Sequence, residues 1–347
     1  MVWNVKLKNA FAFFLTLCYL TPAASGLTQV WNVAESSCAC RPFKDFSMIK
    51  VHYHFPGLFE FYDFYREFLP LYREHRNWFY DWCDIASVYG APEGSLWGGG
   101  RTSFGKADAR DVLVLMDEFA ISARLTFSNS LLREEHLADK KCNELCRLFE
   151  NAKIPAGVIV HSDLLVDYLK EKYPDLYLIS STTKVLTDFE NLRSELAHTD
   201  FKYVVPDFRL NKAFDKLATL TQEEKDKVEF LCNECCDINC RSRKACYENV
   251  SRKNLATAGE EIPDHKCTGK DGLGGYKFSK AMKNPVFISI QDIRQTYLPM
   301  GFTNFKIEGR GLGSALLLEF ILYYMTKPEH QLQVREEIYL DSMLDLF

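Results

Sequence analysis

From Met48 onward, stretches typical of β-strands alternate with stretches typical of helices, and this alternation is the strongest constraint on the fold. Helical patterns of about 10–15 residues separate most of the strands, which indicates βα units with a parallel sheet. Eight or nine strands over about 270 residues predict a (β/α)8 barrel better than an open doubly wound sheet. No G-x-G-x-x-G motif follows the first strand, as a dinucleotide-binding fold would require. The strand-like stretches are residues 49–53, 85–89, 121–127, 157–160, 176–179, 203–205, 228–231, 286–288 and 305–307.

Composition narrows the class of protein only slightly. Of the 347 residues, 47% are hydrophobic and 26% are charged, and the formal net charge is −5. These values are ordinary for a globular protein. They exclude the polycationic surface that marks a general nucleic-acid-binding protein. The length allows one large α/β domain or two modest ones.

Residues 1–47 differ in character from the rest of the chain. Lys6 and Lys8 precede an apolar stretch over residues 10–20, and small residues follow it. This pattern is that of a secretory signal, and it is too short for a comfortable transmembrane helix. We interpret residues 1–47 as an N-terminal extension that packs poorly on a domain spanning residues 48–330. The expected location is the cytoplasm, with no stable membrane span, and secretion is the alternative.

Cysteines are concentrated in one segment. Six of the twelve fall between Cys232 and Cys267, directly after the strand-like residues 228–231. Cys232, Cys236 and Cys240 have C-x3-C-x3-C spacing. Thiols this dense usually serve a soft metal, an Fe–S cluster or disulfides. No second C-x2-C pair matches Cys232 and Cys235, as a zinc ribbon would need. An Fe–S cluster is therefore favoured, while zinc and disulfides stay open.

The cysteines lie in an insertion predicted for residues 232–284, after the seventh strand. Its part from residue 241 onward has little periodicity, and loops this long are uncommon unless something pins them. A metal cluster would do so. Apolar stripes follow on C-terminal helices, the last predicted for residues 331–347, and they would pack on the barrel or bind a partner.

Candidate site residues follow from the position of barrel active sites at the carboxyl ends of strands. Glu308 and Arg310 are two residues apart on the last strand, so their side chains share one face. We predict that both are catalytic, with an inward ion pair as the alternative. The predicted substrate-binding residues are His52, Tyr89, Arg101 and His161. Thr182 and Thr183 also follow a predicted strand.

Three segments resemble the peptidase U32 family, and together the resemblance spans about residues 48–330. The first is Phe305-Lys-Ile-Glu-Gly-Arg310, preceded by Met300-Gly-Phe, which is similar to the end of the family's barrel. The second is Cys236-Asp-Ile-Asn-Cys240-Arg241, similar to the family's C-x3-C-R element. The third is Val51-His-Tyr-His-Phe-Pro-Gly57 with Ala86-Ser-Val-Tyr89, which resembles the first two βα units.

The resemblance implies a barrel that carries a [4Fe–4S] cluster on four cysteines, with zinc as the alternative metal. Transferred residue by residue, it gives Cys232, Cys236 and Cys240 as ligands, and Cys267 is the nearest fourth. The sequence departs from the family in two respects. The long spacer before C-x3-C is nearly absent, and residues 286–288, which match the strand of the family's last ligand, contain no cysteine.

The family includes RNA-hydroxylating and ubiquinone-biosynthesis members, which implies oxygen-independent hydroxylation of an RNA base or of a small aromatic substrate. A collagenase-like peptidase is the second hypothesis, although the chain has no Ser-His-Asp pattern and no H-E-x-x-H motif. A non-catalytic Fe–S or zinc subunit that acts with a paralogous protein partner is the third. The substrate is therefore predicted to be RNA or a small molecule.

Overall fold

The structure is a computed structural model that describes residues 50–99, 105–256, 260–267, 276–309 and 311–344. Residues 1–47, Arg101 and Arg310, on which parts of the predictions fall, lie outside the described residues. The described strands are β1 Val51–Pro56, β2 Cys83–Gly90, β3 Ser122–Phe127, β4 Gly157–Val160, β5 Tyr177–Ser180, β6 Phe201–Val204, β7 Glu229–Leu231 and β8 Asn304–Lys306.

The strands form one parallel sheet in the order β6-β5-β4-β3-β2-β1-β8-β7. A parallel bridge between Val204 and Val228 connects β6 with the start of β7, so that the sheet meets itself. The prediction of a (β/α)8 barrel is confirmed. The prediction of a ninth strand over residues 286–288 was wrong, because these residues are not in a strand. They run beside the end of β7, where the Ile288 N–H donates to the Cys232 carbonyl over 3.1 Å.

Helices pack between and outside the strands. Several begin with an aspartate or serine side chain that accepts from the first turn, such as Asp108 before α2 and Asp188 before α5, as helix capping favours. The helices are α1 Tyr62–Glu74, α2 Ala109–Glu118, α3 Lys140–Glu150, α4 Asp163–Lys172, α5 Phe189–Ala197, α6 Phe214–Leu217, α7 Gln222–Lys227, α8 Arg243–Leu255, α9 Phe278–Ala281, α10 Ile290–Asp292, α11 Ser314–Tyr324 and α12 Gln331–Leu344. Among them, none is long and apolar enough to cross a membrane.

The C-terminal helices are as predicted, and α12 takes up most of residues 331–347. The predicted insertion after the seventh strand is less irregular than expected, since it contains α8, a helix of 13 residues. This helix has charged residues around most of its surface, so its sequence contains no apolar stripe that would indicate a helix.

Successive residues of each strand face alternately outward, toward the helices, and inward, into the barrel. On β1, Val51, Tyr53 and Phe55 belong to the main hydrophobic core, and His54 faces inward. Inward-facing charged side chains form a layer across the barrel. Glu229 Oε2 lies 2.6 Å from Arg124 Nη1 and 3.5 Å from His54 Nε2, while its Oε1 accepts from Lys306 Nζ over 2.9 Å.

An apolar layer lies above the charged layer, toward the carboxyl ends of the strands. It consists of inward-facing side chains from five strands or the residues directly after them: Tyr89, Ile159, Ile179, Val205 and Leu231. Four of these five also line the cavity described below. The barrel is therefore filled at its centre, and a cavity lies above the filled part at its carboxyl end.

Candidate active site

A cavity of about 650 Å³ lies over the apolar layer at the carboxyl end of the barrel. Its floor includes Tyr89, Ile159 and Leu231, and Lys306 of the charged layer also reaches it. The cysteine-containing segment that follows β7, together with α8, forms one wall. This volume is within the range of small-molecule sites, which is about 300–1,000 Å³.

Glu308 lines this cavity, as the alternation along the last strand predicts. Ile307 belongs to the main hydrophobic core outside the barrel, and because neighbouring residues face opposite sides, Glu308 faces inward. Asn233, which follows β7, holds the Glu308 backbone at both polar groups. Its Oδ1 accepts from the Glu308 N–H over 2.8 Å, and its Nδ2 donates to the Glu308 carbonyl over 3.1 Å. The position of Glu308 is thus fixed by the neighbouring strand.

The Glu308 carboxyl group is hydrogen-bonded to a second carboxyl group, that of Glu234. Glu234 accepts from Arg243 Nη2 over 2.6 Å and from the Cys236 N–H over 2.8 Å. Burial by itself would raise the pKa of Glu234, but the Arg243 guanidinium and the hydrogen bonds lower the pKa to about 2. Glu234 is therefore an ionised side chain that is oriented toward Glu308.

Charged residues hold the cysteine-containing segment against the barrel. Asp207, three residues after the end of β6, lies 3.4 Å from Arg243 Nε and 3.1 Å from Arg209 Nη1. Arg209 also donates to the carbonyls of Ile238 and Cys240, over 2.9 and 2.5 Å. Ion pairs and hydrogen bonds therefore attach this segment to the barrel, and that a metal also pins it stays a prediction.

The predicted metal ligands do not all face the same cavity. Cys236, Cys240 and Cys267 line it, together with Cys235 and Cys246. Cys232 faces the other side of the sheet, where it is fully buried in the main core and its Sγ lies 3.6 Å from the Phe230 carbonyl. Strand alternation is the reason, because Leu231 and Asn233 face inward and Cys232 between them faces outward.

The fit of these residues to a [4Fe–4S] cluster can be judged from their arrangement. Four ligands of one cubane must converge on one point, and the set that includes Cys232 does not. The five thiols on the cavity are the right donor type for iron or zinc. Among the described residues, however, no group of three or more His, Cys, Asp and Glu side chains is arranged to hold a metal ion.

The predicted substrate-binding residues have different positions. Tyr89 lines the cavity, and its hydroxyl donates to the Ile307 carbonyl over 2.6 Å. His52 lies at the amino end of β1, near Lys50 and Asp84, and is therefore at the opposite end of the barrel. His161 lies behind the cavity wall, where Nδ1 is 2.8 Å from Thr183 Oγ1.

Sequence reasoning did not find Glu234, Arg243 or Ser181 as site residues. Each is one of the polar residues that line the cavity, and each is at least 90% buried. The signal that could have identified Ser181 is its place at the end of the fifth strand, directly before Thr182 and Thr183. Nothing local indicates that Glu234 contacts Glu308, because the two carboxyl groups meet only when β7 and β8 are paired.

Comparisons with known proteins give one similarity. No protein-family model and no curated protein matches the sequence. A search of the solved structures finds the U32 peptidase Mk0906, with 12% sequence identity and a TM-score of 0.45. The match covers 76% of this chain and 94% of that structure.

Proposed function

We propose that this protein is an enzyme whose active site is the cavity at the carboxyl end of the barrel. The observation that supports the proposal is the position of Glu308, a carboxyl group that faces this cavity from the end of β8 and is hydrogen-bonded to Glu234. Polar groups that converge in a pocket at this end of a barrel are typical of catalytic sites. The cation of Arg243, 2.6 Å from Glu234, supports the same interpretation.

Glu308 is the group that would exchange a proton with the substrate, because its carboxyl faces the cavity. Glu234 would act through Glu308 as a positioning residue. Arg243 balances the charge of Glu234, so the pair can be buried without an unpaired carboxylate, which would be costly. This division of roles is the usual one for a general acid–base group and its orienting partner.

The lining of the cavity favours a planar substrate. Aliphatic and aromatic side chains, among them Tyr89, Ile159 and Leu231, form the floor, and Tyr247 and Tyr276 contribute rings to the walls. A flat ring would bury its faces against these side chains and present its polar edge to the carboxyl pair. An RNA base or a small aromatic molecule satisfies this requirement.

Within this class, we propose the oxygen-independent hydroxylation that the sequence resemblance implies. A substrate C–H and a hydroxylated small organic molecule R–OH would give C–OH and R–H, so the substrate is oxidised by two electrons and the donor takes them up. A [4Fe–4S] cluster on Cys236, Cys240 and Cys267, with Cys235 or Cys246 as fourth ligand, would supply the electron-transfer chemistry when bound. Zinc is the alternative metal for the same thiols.

The test combines a product assay with two glutamine substitutions. The protein, reconstituted anaerobically with iron and sulfide, is incubated with single-stranded RNA or with hydroxybenzoates, together with a panel of hydroxylated organic acids as donors. Mass spectrometry then detects the gain of one oxygen atom. We expect a product with the wild type, and a decrease of at least 100-fold with Glu308→Gln, in line with the loss of a general acid–base group.

The control is Glu337→Gln, a substitution of an exposed glutamate on α12 that should leave activity unchanged. Equal activity of Glu308→Gln and the wild type would refute the role of Glu308. Peptide hydrolysis by the wild type that disappears in Glu308→Gln would instead favour the peptidase alternative. A wild type that binds metal but neither binds nor converts ring compounds would favour the non-catalytic Fe–S or zinc subunit.

A further inference from the structure

Three hydrogen-bonded side chains form a chain along the cavity wall that β4 and β5 support. His161 Nδ1 lies 2.8 Å from Thr183 Oγ1, and Thr183 Oγ1 donates to Ser181 Oγ over 2.9 Å. Ser181 and Thr183 line the cavity, and His161 lies behind them. None of these residues is part of the carboxyl pair.

The hydrogen bonds among His161, Thr183 and Ser181 all donate in one direction, toward Ser181. The Thr183 hydroxyl has one proton, which it donates to Ser181, so its contact with His161 requires His161 Nδ1 to be the donor. Ser181 Oγ also accepts from the Thr183 N–H over 3.2 Å. Ser181 thus accepts two hydrogen bonds, and its own proton is left to donate.

Among the described residues, no acceptor contacts this Ser181 proton, although Ser181 is only 3% exposed. A second hydroxyl on the same wall is in a similar situation. Thr126 lines the cavity, is 4% exposed, and its Oγ1 has no hydrogen-bond partner among the described residues. The register of the strands places Thr126 level with Ile159 and Ile179, one layer deeper than Ser181. Buried hydroxyl groups without partners are costly, so a ligand in the cavity is their natural partner.

We propose that Ser181 donates a hydrogen bond to a carbonyl oxygen of the substrate, and that Thr126 contacts the same polar edge at greater depth. This inference rests on the proposed function and narrows its substrate to a planar ring that carries a carbonyl group. The three hydrogen-bonded side chains carry no charge at neutral pH, so the donor that Ser181 offers is a neutral hydroxyl group. Burial lowers the pKa of His161, and the nearby Lys184 and Lys244 lower it further, to about 4.

The test compares ring compounds that carry carbonyl groups with analogues that lack them. Uracil and pyrimidine form one pair, and acetophenone and α-methylstyrene form another; the two pairs distinguish a nucleobase from an arene as the source of the ring. Ligand-observed NMR titration gives the dissociation constants. For at least one pair, we expect the wild type to bind the carbonyl member about tenfold more tightly, the usual effect of one buried hydrogen bond.

Ser181→Ala should bring this ratio close to one, and Thr183→Val should lower it partly, because Ser181 then keeps its hydroxyl but loses the chain behind it. A purely structural role of Ser181 would weaken both members of a pair equally and leave the ratio unchanged. Ser162→Ala, on the same side of the barrel and outside the cavity lining, is the matched control and should keep the ratio.

The inference is overturned if the wild type does not prefer the carbonyl member of either pair, or if Ser181→Ala keeps the preference. Glu308→Gln separates this result from the proposed function. It should retain the carbonyl preference while activity is lost. Activity that depends on Glu308, together with an unchanged ratio in Ser181→Ala, would refute the role of Ser181 and leave the proposed function in place.

Discussion

Glu229 is the only carboxylate among the described charged groups at the centre of the barrel, and its replacement by glutamine should be strongly destabilising. The side chain is fully buried between Arg124 at 2.6 Å and Lys306 at 2.9 Å. Glutamine preserves the shape and removes the charge, which leaves two buried cations without their partner. Breaking a buried ion pair in this way costs about 3–5 kcal/mol, a large share of the 5–15 kcal/mol that stabilises a typical domain.

Urea denaturation at neutral pH measures this loss as a lower transition midpoint with an unchanged slope. The matched control is Glu118→Gln, which removes a carboxylate at 3.2 Å from Arg73 on the protein surface. An exposed pair contributes only about 0–1 kcal/mol. If Glu229→Gln destabilises the protein no more than Glu118→Gln does, the charged layer is not a stabilising network, and the reasoning is refuted.

The same network gives the stability a defined pH dependence. Burial would raise the pKa of Glu229, but Arg124, His54 and Lys306 together hold it well below its usual range. A carboxylate with a lowered pKa in the folded state contributes stability that is fully present above its unfolded pKa, about 4.3, and is lost as the pH falls. The wild type should therefore lose stability below about pH 4.3, and Glu229→Gln should lack this component.

Three further predictions concern single positions. Cys232→Ala should retain all iron after anaerobic reconstitution, whereas Cys236→Ala should lose it; equal loss in both variants, measured by absorbance and iron content, would return Cys232 to the ligand set. Thr126→Val should raise the melting temperature by about 2 °C, because it removes a buried hydroxyl that has no hydrogen-bond partner among the described residues. The control, Thr326→Val, loses a hydrogen bond to the Ile321 carbonyl and should lower the melting temperature. Gly157→Ala should destabilise by about 1–3 kcal/mol in urea titrations, since a Cβ there would lie 2.4 Å from the Tyr177 ring; a stability equal to that of the wild type would show that the ring moves aside.

The strands could be predicted because each one combines apolar residues with clear boundaries. Residues 286–288 show the limit of this reasoning. They are as apolar and β-branched as a strand, but only Ile288 forms a backbone hydrogen bond with the end of β7, to Cys232. Burial of apolar side chains, which a non-strand segment provides equally well, accounts for their composition. An apolar run of three residues therefore predicts burial more safely than it predicts a strand.

The site was predictable where strand alternation applies, and only there. Alternation places Glu308 inside the barrel, and the same rule, applied to Leu231, Cys232 and Asn233, would have placed Cys232 outside. Cysteine spacing had suggested the opposite, because counting thiols along the chain ignores the face on which each one lies. Asn233 and Glu308 are 75 positions apart in sequence, and no local pattern predicts that they hydrogen-bond.

Asp207, Arg209 and Arg243 are charged residues that connect the cysteine-containing segment to the barrel. If a metal were needed to hold this segment, removal of the metal would collapse the cavity and its carboxyl pair. The contacts of Asp207 with Arg243 and Arg209 attach the segment to the barrel through side chains that are not metal ligands. These contacts, together with the bond from Arg243 to Glu234, fix the wall of the cavity independently of any thiol. Because these attachments are made by side chains other than the cavity thiols, we expect the segment to keep its position when one of those thiols is replaced.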